Sequence, residues 1–201
     1  MTVRLVLATA NPNKARELAA LLEGFEVVLR PADLPDVEET ADTLEGNARL
    51  KAVAVMEATG ELAVADDTGL EVDALGGRPG VYAARYAGPD ATYADNVAKL
   101  LVELAGVPAG ARGARFRTVA LARFPDGREI MAEGTVAGVI ASSPRGTAGF
   151  GYDPLFVPDG GDGRTFAEMT GPEKAAVSHR GRALHSLAAQ LSAPPSGFLS
   201  R

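Results

Sequence analysis

Val3 to Thr9 is the segment that most limits what this chain can become, because it is a short apolar run that ends just before Asn11-Pro12. A run of that length bounded by a turn signal reads as a buried strand. Asn11 is a cap residue and Pro12 suits the first helical position, so a helix opens there and extends to about Leu22. A strand, a tight loop and a helix follow one another, and the N-terminus is committed to the interior.

The rest of the chain continues in the same manner. Glu26–Leu29 reads as a second short strand, and residues 31–43 as an acidic, proline-containing loop that carries Glu38 and Glu39. Leu44 to Thr59 is alanine-rich, with Leu50, Val53 and Ala54 at helical spacing and Gly60 as its stop. Leu62–Ala65 reads as a buried strand that stops at Asp66-Asp67. Gly69 to Gly88 holds five glycines and is expected to be irregular around short strands, followed by a helix over Thr92 to Ala105. Ala114–Phe124 and Glu129–Val139 flank Pro125-Asp126-Gly127 and predict a long hairpin. Ser142 to Gly163 is rich in glycine and proline and reads as a binding loop with one short strand, Leu155–Val157. Thr165 and Glu168 have capping-box spacing for a short helix. Leu184, Leu187, Ala188 and Leu191 share one face of a final helix, and residues 192–201 are expected to be a loose tail.

With 201 residues, no repeat and no linker, a single domain over 1–201 is expected. The net charge of −6 argues against nucleic acid as the main partner, since a polyanion calls for basic patches. The absence of cysteine excludes disulfides, thiolate nucleophiles and the usual zinc sites. No apolar run approaches the roughly 18–20 residues needed to cross a bilayer, and the N-terminus lacks a signal-peptide core, so the expectation is a cytoplasmic protein with no membrane partner.

Several residue groups can carry chemistry. Thr9-Ala10-Asn11-Pro12-Asn13-Lys14 joins a strand to a helix, whose N-terminus offers unpaired N–H groups to an anion while Lys14 adds a full charge. Asp66-Asp67 at a strand end places two carboxylates on opposite faces, one of them toward a cleft. Mg²⁺ prefers hard oxygen ligands and takes one or two carboxylates plus substrate phosphates, and Glu39 is available as the second. Asn47 and Lys51 stand four apart on one helix face. Ser178-His179-Arg180 lacks the surroundings of a serine hydrolase, and His179 and His185, six apart, do not converge on one metal. Arg180 and Lys174 are better read as donors to phosphate or to a base carbonyl. Phe150-Gly151-Tyr152-Asp153 offers a ring to stack on a nucleobase and a carboxylate for its edge. For each group a plain structural role competes: a solvated lysine, a turn, or a ring filling a small apolar cluster.

Taken together, these segments resemble the inosine triphosphate pyrophosphatase family, the non-standard purine nucleoside triphosphate pyrophosphatases. The resemblance rests on Thr9 to Lys14, Glu38-Glu39-Thr40, Asn47-Ala48 with Lys51-Ala52, Ala65 to Leu70, Leu75 to Tyr82 with Ala84-Arg85-Tyr86, Gly149 to Pro154 and Ser178-His179-Arg180, and it spans nearly the whole chain. It implies an α/β fold with a mixed, twisted central sheet flanked by helices, two lobes around a deep cleft, and a homodimer. It further implies that Asp67 activates the attacking water and, with Glu39, holds Mg²⁺. Thr9 to Lys14, Lys51 and Thr68 would lie along the triphosphate, and Phe150 to Asp153, Lys174, His179 and Arg180 would hold the base and the sugar–phosphate. Leu44, Gly46 and Thr68 depart from residues common in that family, where position 46 is often glutamate. The expected substrates are the triphosphates of inosine, deoxyinosine and xanthosine. The alternatives are a pyrophosphatase for pyrimidine or methylated nucleotides and a noncatalytic nucleotide-binding protein.

Overall fold

The computed structural model describes residues 2–193. Strand β1 (Arg4–Leu7) leads into helix α1 (Pro12–Leu21), whose N-cap Asn11 accepts the backbone N–H groups of Asn13 and Lys14 at 2.9 and 3.3 Å. Strand β2 (Glu26–Leu29) follows, and then helix α2 (Leu44–Thr59), capped by Thr43 and closed by Gly60 in the left-handed region at φ 69°. Strand β3 (Ala63–Val72) and the two-residue β4 (Pro79–Gly80) precede helix α3 (Tyr93–Glu103). A hairpin of β5 (Gly113–Arg123) and β6 (Glu129–Ile140) is followed by β7 (Phe156–Pro158), α4 (Gly171–Val177) and α5 (His179–Ser192).

The sheet runs β2-β1-β3-β5-β6-β7, with β4 also paired to β3. It is mixed: β1 is parallel to β2 and β3, while the β3–β5, β5–β6, β6–β7 and β3–β4 pairs are antiparallel. Alternation along each strand sorts the core. Leu5, Leu7 and Val64 turn to one face, against Leu18 of α1, its C-cap Leu22, and Ala183, Leu184 and Leu187 of α5. Val6, Ala63 and Ala65 turn to the other, against Leu44, Ala48, Ala52 and Val55 of α2. A third cluster, with Leu70, Phe116, Phe156 and Phe166, fills the far end of the sheet beneath α3.

The α/β class, the mixed sheet and the helices stand where the sequence places them, but β3 does not stop at Asp66-Asp67. It continues to Val72, with Asp66, Asp67 and Thr68 in register with Ala120, Val119 and Thr118 of β5. A carboxylate breaks a strand when burial leaves it without a partner, and here both acids meet cations, so the chain runs straight through. Part of the segment expected to be irregular after Gly69 therefore belongs to β3. The capping box at Thr165–Glu168 forms, but it caps only one 3-10 turn, because Met169 is extended (φ −96°, ψ 151°). Helix α4 starts from a second box, Thr170 with Glu173. Ser192 closes α5, and of the tail expected over 192–201, residues 194–201 lie outside the described residues. Among the described residues no helix is long and apolar enough to cross a membrane.

Candidate active site

Two sheet features make room for a site. On its β1 side, β3 is paired at Ala63 and Val64 and again with β4 at Leu70 and Glu71, which leaves residues 65–69 without a strand neighbour on that edge. The gap is where β1 has ended and the chain turns into α1. Asp66, Asp67 and Thr68 occupy it, and the twofold alternation of a strand sends the two carboxylates to opposite faces.

Asp67 faces α2. Its Oδ1 accepts from Lys51 Nζ at 3.2 Å and its Oδ2 from Asn47 Nδ2 at 3.2 Å. Asn47 is held in turn because its own oxygen accepts the Ala41 N–H at 2.9 Å. Both polar residues lie on the buried stripe of α2, between Leu44 and Val55, where packing alone would prefer apolar side chains. Lys51 Nζ also donates to Glu39 Oε1 at 2.6 Å, so one ammonium bridges the two carboxylates. Arg85 grips Glu39 from the other side, donating to its backbone oxygen at 3.0 Å and lying 3.3 Å from Oε2.

Asp66 faces α1 and α5. Its Oδ2 accepts from Arg180 Nε at 3.1 Å and lies 3.6 Å from Lys14 Nζ. Arg180 Nη2 donates to the Thr68 hydroxyl at 3.2 Å, and that hydroxyl shares a 2.6 Å hydrogen bond with the hydroxyl of Thr118. Gly134 on β6 lets the first turn of α5 approach this closely, since a Cβ there would meet the His179 carbonyl at 2.1 Å and the Ala183 nitrogen at 2.5 Å.

These charges separate the two acids chemically. Burial alone would raise Asp66, but Lys14 and Arg180 outweigh it and hold that carboxyl far below its ordinary range, so Asp66 is a fixed anion. For Asp67 burial wins over Lys51 and Lys14, and its carboxyl is pushed up, toward a base able to take a proton. Glu39 is held low in spite of burial, chiefly by Lys51, and Lys51 is held high by Asp67 and Glu39 against its own burial. Lys14 is lowered by burial, with Asp66 opposing.

At the other end, the loop before β7 folds back on itself. Asp153 Oδ2 accepts the Phe150 N–H at 2.8 Å and Lys174 Nζ at 2.7 Å, an arrangement that presents the Phe150 ring. Lys174 Nζ and the Arg180 guanidinium lie 5.0 and 5.3 Å from the centre of that ring. Tyr152 is buried in the third cluster and its hydroxyl donates to the Ala83 carbonyl at 3.0 Å, so it forms a wall of the pocket from within the core.

One pocket joins the two ends. Asn11, Lys14, Glu39, Asp67, Thr68, Phe150, Gly151, Tyr152, Asp153, Lys174, His179 and Arg180 all line it. Lys51 reaches it only through its two carboxylate partners, and Thr9, Ala10, Pro12 and Asn13 do not line it. Thr9 instead accepts the Asn11 N–H at 3.2 Å, and Asn13 pairs with Arg16.

A profile of the Ham1 family matches residues 5–190. The chain belongs to the Ham1 family. It is 52% identical over 193 residues to a dITP/XTP pyrophosphatase of Nitratidesulfovibrio vulgaris, covering 91% of this chain and 93% of that one. To a dITP/XTP pyrophosphatase of Symbiobacterium thermophilum it is 51% identical over 184 residues, covering 90% and 91%. Among solved structures, a HAM1 protein from Coxiella burnetii superposes with a TM-score of 0.84 at 39% identity, covering 95% of this chain and 99% of that one. A nucleoside-triphosphatase / dITP/XTP pyrophosphatase from Mycobacterium abscessus does so with a TM-score of 0.72 at 45% identity, covering 95% and 100%.

In this Ham1 chain the donor set suits a hard cation. Glu39 and Asp67 supply carboxylate oxygens on the two sides of Lys51, and among the described residues no group of three or more His, Cys, Asp or Glu is placed to hold a metal. Two protein carboxylates at most, with phosphate and water completing the shell, is the arrangement Mg²⁺ favours. Position 46 does not add a third, because a Cβ on Gly46 would meet Ala41 Cβ at 2.5 Å, and the neighbouring Glu45 turns away to Arg117.

Glu17 was not singled out from the sequence, yet it bridges Lys174 Nζ (2.7 Å) and Arg180 Nη1 (2.5 Å), and these cations hold its carboxyl low against burial. The available signal was its place three residues after Lys14, on the same face of α1. His179 is buried, its ring 4.4 Å from that of Phe116 and nearly parallel to it, and desolvation, helped by Arg180 and Lys174, holds the imidazole well below its ordinary value. Unfolding lets it take up a proton below about pH 6.5, so its contribution to stability is complete above that pH and falls by about 1.4 kcal/mol per unit as the solution is acidified. Thermal melts of His179→Gln between pH 5 and 7 are expected to show a correspondingly shallower dependence on pH than those of the native chain.

Proposed function

We propose that this protein hydrolyses non-standard purine nucleoside triphosphates, those of inosine, deoxyinosine and xanthosine, to the monophosphate and pyrophosphate. The observation that carries the reading is that Lys14 and Asp67, from different elements, open into one pocket whose other end holds Phe150, Lys174 and His179. A cationic end fits a polyphosphate, and an end with a ring and hydrogen-bond donors fits a base bearing a carbonyl. The Ham1 membership and the pyrophosphatase relatives support the same assignment.

In this reading the triphosphate lies along Lys14, with Lys51 acting through Glu39 and Asp67, and Asp67 takes the proton of a water that attacks the α-phosphorus. The new P–O bond forms as the bond to the α–β bridging oxygen breaks, and pyrophosphate leaves with that oxygen. Glu39 and Asp67 would hold a Mg²⁺ ion, which would supply charge neutralisation at the phosphate oxygens. Asp66 stays ionised and keeps Lys14 and Arg180 directed into the pocket. Lys174, Arg180 and His179 offer donors that match a C6 carbonyl and leave the amino group of adenine unmatched, a mismatch that costs about 1–3 kcal/mol. A cytoplasmic homodimer with two lobes around the pocket completes the proposal, as the family resemblance implies, and light scattering on the eluted protein measures the assembly.

The test is product analysis with a panel of nucleoside triphosphates and Mg²⁺. ITP giving IMP and pyrophosphate, with loss of turnover in EDTA and recovery on adding Mg²⁺, is expected. A preference for pyrimidine triphosphates, or binding without hydrolysis, rejects the proposal.

A further inference from the structure

Tyr93 stands at the first position of α3, a place where it serves no cap, since Thr92 and Asp95 already form the capping box. It belongs to none of the three apolar clusters and is 39% exposed, so the core does not account for it. What it does touch is the pocket. Its hydroxyl accepts from Asn11 Nδ2 at 2.7 Å, which orients the Asn11 amide so that its oxygen faces the start of α1. Its ring lies 5.7 Å from that of Phe150, tilted by 36°. That separation is contact distance for an aromatic pair. One side chain thus ties the polyphosphate end of the pocket to its aromatic end.

We propose that Tyr93 is a substrate-contacting residue, its ring forming with Phe150 a two-ring wall against which the nucleobase packs. The inference rests on the nucleotide-binding reading of the same pocket and assigns its affinity for the base to a residue outside the segments that suggested that reading. Every base offers a π-face, so the wall adds affinity for the base as a class. The choice among purines falls to the hydrogen-bonding groups at Lys174, His179 and Arg180.

Calorimetric titration of the full chain with IMP and, separately, with inorganic tripolyphosphate tests this, using Tyr93→Ala and Tyr93→Phe. Loss of a stacking partner weakens base binding by roughly ten- to hundredfold, so Tyr93→Ala is expected to bind IMP at least about tenfold more weakly than Tyr93→Phe. With tripolyphosphate the two variants are expected to agree, because both have lost the tie to Asn11 and only one has lost the ring. The KM for ITP should separate the two variants by the same factor, a larger difference than any between their kcat values. Equal IMP affinity in the two variants, an equal difference with both ligands, or no IMP binding by the native chain overturns the proposal. Native turnover of ITP with indifferent Tyr93 variants rejects this inference alone. A Tyr93-dependent affinity for IMP without turnover rejects only the hydrolytic reading.

Discussion

Asp67→Asn is expected to leave a folded protein whose turnover of ITP is lower by roughly 10³-fold or more, since in the proposed reaction Asp67 is both the general base and a carboxylate that would hold the metal. The substitution keeps the shape of the side chain but not its bonding. Asp67 accepts on both oxygens, from Lys51 and from Asn47, and an asparagine can accept on only one of them. Asn47 cannot simply turn over to compensate, because its oxygen is engaged by the Ala41 N–H. One donor is left facing another, a cost of about 1–3 kcal/mol. Against the 5–15 kcal/mol typical of a folded domain, that lowers the melting point without unfolding the chain. Burial, which disfavours the charge of Asp67, offsets part of the cost. The assay is single-point turnover beside a thermal melt: near-native rates would remove Asp67 from the chemistry, whereas a chain already unfolded at 25 °C would make its role structural.

Arg180→Met is expected to have the largest effect on stability. The guanidinium is 2% exposed and holds Asp66, Glu17 and Thr68 at once. Removing it leaves Asp66, itself 1% exposed, with Lys14 at 3.6 Å as its remaining cation and the Thr68 hydroxyl at 3.4 Å. Breaking a buried pair by deleting one partner costs about 3–5 kcal/mol, which for a chain of this size lowers the melting temperature by about 6–20 °C. If the cost is that of a stranded anion, Asp66→Asn in the same chain recovers part of the loss. Thermal melts of the two single variants and the double variant decide it: additive losses would mean that Arg180 acts through packing and not through the charge of Asp66.

The helices were legible because each of the first three carries a start or a stop signal of its own. Asn11-Pro12 opens α1, Gly60 closes α2, and Thr92 with Asp95 opens α3, all within the segment itself. The hairpin was legible from Pro125-Asp126-Gly127, where Gly127 adopts φ 90°. Strand β3 was not, because what lets it pass through two carboxylates is supplied from α1, α2 and α5, and no local rule registers cations that lie from 16 to 114 positions away along the chain. Glu17 was missed for the same reason: its partners, Lys174 and Arg180, lie 157 and 163 positions along the chain. Two capping boxes stand five residues apart, Thr165 with Glu168 and Thr170 with Glu173, and spacing alone does not tell which of them opens the longer helix. Of the site, the two ends could be read from residue types, while Lys51 as the bridge between Glu39 and Asp67, and Tyr93 as the bridge between Asn11 and Phe150, needed coordinates.

The opposed carboxylates of β3 bear on how the chain reaches its native pairing. Sliding this strand by one residue against β5 would exchange the two sides, turning Asp66 toward the alanine and valine stripe of α2 and Asp67 toward Arg180. Asp66 would then find Lys51 and Asn47 out of line, and the buried Leu70 would turn with it. The two opposed acids therefore also act as a lock on strand alignment, and a misaligned folding intermediate would be discouraged by charge before side-chain packing is complete.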